Sequence, residues 1–419
     1  MTSNRRSLLK GLALGGTGAA LPGALASLSA ATAASAQASA NGGPASLAWL
    51  ALAQKMTEWD AKFSVAPYSG TTSNDRAESR LLMADALQLA LDFWTRADTA
   101  NPTFSRFVSP TRKLLGDNPD AVYFFAPIRP GGEYVIRGNT AGATYTSFTV
   151  ERAEVDGGRV IGLAATLNDS QFDVAADGSY EIHVGGPKRE RNWLALSDDS
   201  RTITTRHYFE REKSAAADQT LAIPIEIHPV TRPAAPPPPT EEDVAEHLRT
   251  VATYFDAVMQ ISRPSDLPRD NAAVARFLST VPNQFTEPNV AADNRAIGYA
   301  AADNRYLQSR YVLGPDEALE MRGRWPDECR FANVVQFNRY LATTDYVNRQ
   351  ISLNRKQTVL EKDGSFRMIL AHEDPGLPNW LDTGGRPNGT IFWRFQLAPG
   401  HIEPIRTRVV KLADLKRGK

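Results

Sequence analysis

The densest group of titratable side chains is AHEDPG, Ala371–Gly376, where His372, Glu373 and Asp374 sit in the loop between FRMIL and NWL. An imidazole beside a carboxylate can act as an acid/base pair, and Asp382 lies close by in sequence. Arg206 in TTRHYF and Arg394 in IFWRFQ fall inside strand-like runs, where a guanidinium can stabilise a developing charge, pair with a carboxylate or point into a polar cavity. Tyr123, Tyr208, Trp380 and Trp393 add aromatic faces suited to a sugar ring or an amphipathic acyl or aromatic ligand. The same residues also have plainer uses, as a solvated loop, core aromatics and cross-strand arginines. On these residues the chain reads as a hydrolase or other acid/base enzyme acting on a lipid, glycan or organic nutrient. The alternative is a non-catalytic ligand-binding or cell-envelope protein that uses an aromatic cleft between two β lobes.

Other chemistries find little footing. The six histidines, at 183, 207, 228, 247, 372 and 401, include no H-x-H or H-E-x-x-H pair, so no metal site is expected and no cofactor is specified. No G-x-S-x-G elbow is present. The single cysteine, Cys329, permits neither an intrachain disulfide nor a cysteine-based zinc site. Lys+Arg and Asp+Glu are equal at 47 each, which removes the electrostatic basis for a nucleic-acid partner.

What must position these side chains is a mixed chain. Residues 1–36 carry Arg5-Arg6, an apolar stretch rich in Leu, Ala and Gly, and a small-residue end at Ala34-Ser35-Ala36. This layout is a twin-arginine (Tat) signal peptide, predicting export to the periplasm or beyond by the Tat translocase, with no stable membrane span. Oligomeric state is not legible. Residues 37–116 read as helical. LAWLALAQKMTEWDAKF forms one helix, and a second over 73–97 has Ser73 or Asn74 as cap and Ala77, Leu81, Ala84, Leu87, Leu91 and Trp94 on one face. Residues 117–230 are short β-branched and aromatic runs at hairpin spacing. TRPAAPPPPT, residues 231–240, is a proline linker. Residues 241–302 return to helix, with Thr240 and Asp243 as a capping box, and 303–419 to strand.

Helices, strands, linker, helices, strands is the same plan twice. Landmarks repeat in order: Arg137 and Arg322 are 185 apart, Asp177 and Asp363 186, Asn192 and Asn379 187, Arg206 and Arg394 188. Single-residue loop insertions produce such a drift. The expected fold is therefore α+β, mainly β, with two jelly-roll or β-sandwich lobes from an internal duplication, each preceded by helices. The repeated Asp-Gly suits a tight hairpin and the repeated Trp a packed ring.

HEDPGLPNWLDTGGRPNGTIFWRFQLA, His372–Ala398, resembles the C-terminal domain of the DUF1214 family in Pro378, Asn379, Trp380, Leu381, Asp382, Thr383, Trp393 and Arg394. The likeness covers about Asp303–Leu412, and Asn118-Pro119-Asp120 with Tyr123 resembles the family's amino-terminal lobe. It implies two jelly-roll lobes and assigns no residue a role. Phospholipase-like activity has been linked to a distant relative carrying a DUF1254 lobe.

Overall fold

A computed structural model of the protein describes residues 42–268, 272–288 and 298–417. The twin-arginine segment lies outside the described residues. Two long helices come first, α1 (Pro44–Phe63) and α2 (Ser73–Trp94). Proline at the first turn of α1 costs no hydrogen bond, because that N–H has no intrahelical partner. Thr72, not Ser73 or Asn74, caps α2. Its hydroxyl accepts from the Asp75 N–H, and the Asp75 carboxylate accepts from the Thr72 N–H. The buried face of α2 is Leu82, Ala86, Leu89, Ala90, Phe93 and Trp94; Leu81 is 64% exposed. The expected stripe was thus rotated by about one residue. Its alanines and leucines fitted the helical period equally well on either side, and only the packing partner decides between them.

The strands of the first lobe are β1 (Ser105–Arg106), β2 (Ala121–Pro127), β3 (Tyr134–Asn139), β4 (Tyr145–Arg152), β5 (Gly162–Asn168), β6 (Ser179–Val184), β7 (Trp193–Leu194), β8 (Ser200–Tyr208) and β9 (Ile225–Pro229). Hairpin pairing of neighbours, as their spacing suggested, holds for β4 with β5; β2, β3 and β4 instead pass from one sheet to the other. The result is a sandwich of a sheet ordered β1-β2-β8-β4-β5 and one ordered β7-β6-β3-β9. Alternation fills the space between them. Phe148, Val150 and Ile203 face Ile136, Tyr180 and Ile182, while their neighbours Thr149, Glu151 and Arg206 point away.

After 231–240, which has no regular structure, α3 (Glu241–Ile261) starts on the expected capping box of Thr240 and Asp243. A short α4 (Ala272–Phe277) leads to the second lobe: β10 (Leu278–Ser279), β11 (Asn304–Val312), β12 (Glu317–Gly323), β13 (Phe331–Phe337), β14 (Ser352–Asn354), β15 (Phe366–Ala371), β16 (Trp380–Asp382), β17 (Asn388–Gln396) and β18 (Arg406–Lys411), then α5 (Leu412–Arg417). Its sheets run β10-β11-β17-β13-β14 and β16-β15-β12-β18, the order of the first lobe strand for strand. The protein is α+β, mainly β, with two sandwich-like lobes of repeated topology.

The repeated landmarks carry repeated contacts. Asn192 and Asn379 both adopt left-handed backbone, φ 54° and 59°, and the amide of each bonds the main chain on both sides of its turn. The Trp193 indole donates to the Gly185 carbonyl and the Trp380 indole to Ala371, closing the parallel pairs β6/β7 and β15/β16.

The helices, in contrast, do not divide between the lobes. α1, α2 and α3 share one core, with Leu52, Phe63, Leu89, Phe93, Val251 and Phe255 packed around Phe125 of β2. Phe93 stacks on Phe125 at 3.9 Å between ring centroids. A helix with one apolar stripe must bury it somewhere, and three such stripes cover each other together with one outer sheet face.

Candidate functional site

The outer faces of the two five-stranded sheets meet, and the contact follows the duplication. Asp120 opens β2 and accepts from the amide groups of Asn333 (2.9 Å) and Asn354 (3.1 Å) in the second lobe. Its counterpart Asp303 opens β11 and accepts from Asn168 (2.9 Å) and the Tyr145 hydroxyl (2.7 Å) in the first. Asn168 and Asn354 occupy matching ends of β5 and β14, so each lobe lends an asparagine to the other lobe's aspartate. This is the reciprocity of a two-fold dimer interface, built here within one chain. Ala121, Tyr145, Tyr208 and Phe331 fill in between.

Beside these latches the lobes leave a cavity of about 510 Å³. Its floor is two cross-strand pairs related by the same pseudo-symmetry: Tyr123 of β2 opposite Arg206 of β8, and Tyr306 of β11 opposite Arg394 of β17. Tyr208 and Thr204 join them. Phe107, Leu115, Tyr340 and the end of α3 at Gln260–Arg263 form the walls.

Both arginines are buried, at 2% and 4% exposure, and neither forms an ion pair among the described residues. Arg206 donates to the Thr149 hydroxyl at 2.7 Å and to the carbonyls of Tyr299 (2.8 Å) and Ala300 (3.4 Å). Arg394 lies against the Phe392 ring, 4.5 Å from its centroid, and donates through Nη2 to the Gly116 carbonyl. Burial raises the Tyr123 and Tyr306 phenols above their ordinary range, so both stay protonated and able to donate. The field of both guanidinia reaches both phenols, which places the four groups around one space. Burial also pushes Asp117 and Asp120 up to about 6, against the hydrogen bonds that Thr343 gives the first and Asn333 and Asn354 give the second, with a smaller pull from Arg394.

Of the residues singled out from sequence, Arg206, Arg394, Tyr123 and Tyr208 converge here. The others do not. His372 binds the Thr383 hydroxyl through Nδ1 at 2.7 Å, Glu373 is exposed beside Lys416, and Asp382 pairs with Arg349 at 2.6 Å and caps the Gly384 N–H. Among the described residues, His372, Glu373 and Asp382 each hold their own local contact and share no hydrogen bond or ion pair with one another. Trp393 points the opposite way from Arg394, into the second sandwich core between Phe366 and Phe395. Trp380 closes its strand pair. No histidine lines the cavity among the described residues.

Tyr306 and the two latches were missed, although the sequence signals them. Asp120-Ala-Val-Tyr123 and Asp303-Asn-Arg-Tyr306 share D-x-x-Y at an offset of 183. Leu167-Asn168-x-x-Gln171 and Leu353-Asn354-x-x-Gln357 share L-N-x-x-Q at 186.

A solved structure of an uncharacterized protein from Burkholderia cenocepacia is similar over 88% of this chain and 97% of its own, with a TM-score of 0.74 and 26% identity. A Vibrio parahaemolyticus protein aligns over 79% of this chain and 98% of its own, at a TM-score of 0.43 and 12% identity. No protein-family profile and no curated protein sequence matches the chain.

Proposed function

We propose that the chain is a binding protein that holds a small organic molecule between its two β lobes. The observation that carries this is the cavity itself. It lies in the range of small-molecule sites, has walls that mix Phe107, Leu114, Ile161 and Ile261 with Gln260, Arg159 and Arg263, and has a few polar groups converging at its floor. Catalysis by acid/base chemistry would need a proton-transfer pair at that floor. The cavity offers tyrosines that keep their protons and one carboxyl, Asp117, whose oxygens are taken by the Thr343 N–H and hydroxyl. This favours binding over the hydrolase reading.

The amino-terminal sequence supports export by the twin-arginine route, with binding taking place outside the cytoplasm. The DUF1214 resemblance of the second lobe fits the two-lobed architecture and assigns no ligand.

The test fills the cavity. Ile261, half-buried at the end of α3, lines it. Protein purified after export should be stabilised against heat by members of a small-molecule library, and Ile261→Trp should remove that stabilisation while keeping the native circular dichroism. Equal stabilisation of both proteins would place the site elsewhere. Turnover of ester or amide substrates by the wild type, lost in Ile261→Trp, would make the cavity an active site instead.

A further inference from the structure

The pseudo-symmetry of the cavity is broken at the arginines. Arg206 has its donors turned to a hydroxyl and two carbonyls. Arg394, with the same strand position in the second lobe, has a buried Nη1 with no hydrogen-bond partner among the described residues. A charged donor left unmatched in the interior is costly, and natural interiors rarely keep one. The nearest carboxyls do not answer it. Asp117 is held by Thr343, Asp120 by Asn333 and Asn354, and neither reaches Arg394 as an ion pair. Stacking on Phe392 and the bond to the Gly116 carbonyl hold the guanidinium in place where Arg394 lines the cavity.

We infer that the cavity's ligand is an organic monocarboxylate, its carboxylate head taken by Arg394 and its apolar body lying against Phe107, Leu114, Ile161 and Ile261. This rests on the binding reading above and deepens it. Two acidic side chains near Arg394 oppose a doubly charged phosphate head more than a single planar carboxylate, which also matches the guanidinium geometry. Tyr306 and Tyr123 stand beside the head as protonated phenols. Arg206 contributes its charge but keeps its donors where they are.

Calorimetric titration with octanoate, octanol and octyl phosphate tests this at pH 7.5. Wild-type protein should bind octanoate at least tenfold more tightly than octanol or octyl phosphate. Arg394→Met, close in volume and uncharged, should lower octanoate affinity by tenfold or more and leave octanol unchanged. Arg394→Lys, which keeps the charge without the fork, should fall between them and covers the case in which the methionine variant does not fold. Arg206→Met should cost octanoate only a few-fold. Octanoate and octanol binding alike, unchanged octanoate affinity in Arg394→Met and Arg394→Lys, or tighter binding of octyl phosphate each overturns the carboxylate assignment. Octanol binding that Ile261→Trp abolishes, with no octanoate binding, overturns it and leaves the cavity reading intact. Binding of no probe, with Ile261→Trp indistinguishable from wild type in the library screen, removes both.

Discussion

Glu151 shows how much the outer face of β4, buried under the rest of the molecule, asks of single residues. Its carboxyl is buried and takes a hydrogen bond from Thr202, and the Thr204 hydroxyl also helps to hold its charged form. Burial pushes it from 4.5 up to about 7, and the Arg206 charge pulls it back only in part. A carboxyl whose folded pKa is raised favours folding in full below its unfolded pKa, and that contribution is lost as pH climbs through the folded pKa. The window here runs from about pH 4 to pH 7, for about 3 kcal/mol at most. Glu151→Gln should therefore melt higher than wild type at pH 8 and close to it at pH 5. A variant that melts lower at pH 8 would mean the ionised form is held by Arg206 after all. Asp382 differs in its surroundings, with Arg349 and the Gly384 N–H as partners. Asp382→Asn should lower the melting temperature and leave octanoate affinity within twofold, since its contacts lie away from the cavity. A tenfold loss of affinity in a folded variant would reinstate the loop as part of the site.

At the scale of the element, the repeated turn before β7 and β16 is a small device with a clear cost. The left-handed backbone favours Gly or Asn, and only Asn adds the side-chain bonds. Asn379 makes three, to the N–H and carbonyl of Val359 and the carbonyl of Arg367. Asn192 makes two, to the Asp173 N–H and the Glu181 carbonyl. Asn379→Ala should cost about 2–4 kcal/mol in urea unfolding, Asn379→Gly less, and Asn192→Ala less than Asn379→Ala. Equal costs for Ala and Gly would show that backbone strain plays no part. The Asp-Gly turns and the repeated Asn-Trp-Leu were legible in advance because they are local signals, but the left-handed backbone at the two asparagines was not read from them. The stripe on α2 was not legible, because which face is buried depends on α1, α3 and Phe125, all far away in sequence. The AHEDPG loop lies apart from the cavity for a related reason: a cluster of charge in sequence says nothing about where each side chain finds its partner.

For the whole molecule, the question is whether two sandwiches behave as one body. Each has its own core, but Asp120 with Asn354 and Asp303 with Asn168 cross the boundary, and the helical layer packs onto β2. Calorimetry should show one unfolding transition for the wild type. Asn168→Ala with Asn354→Ala together should broaden or split it, whereas two separate transitions in the wild type would mean the latches contribute little to coupling. The two lobes were readable from sequence because a duplicated β unit repeats its landmarks. Their docking was not, since it depends on residues read only as strand ends.

The broken symmetry of the two arginines has a consequence for orientation. A homodimer of one such lobe would present two equivalent anchors, and any ligand with one head would bind in two directions related by the axis. Joining the lobes in one chain lifts that degeneracy. One copy can keep its anchor open while the other closes its own with main-chain carbonyls. The ligand then has a single head-first pose, and the remaining end of the cavity is free to be shaped for whatever follows the head.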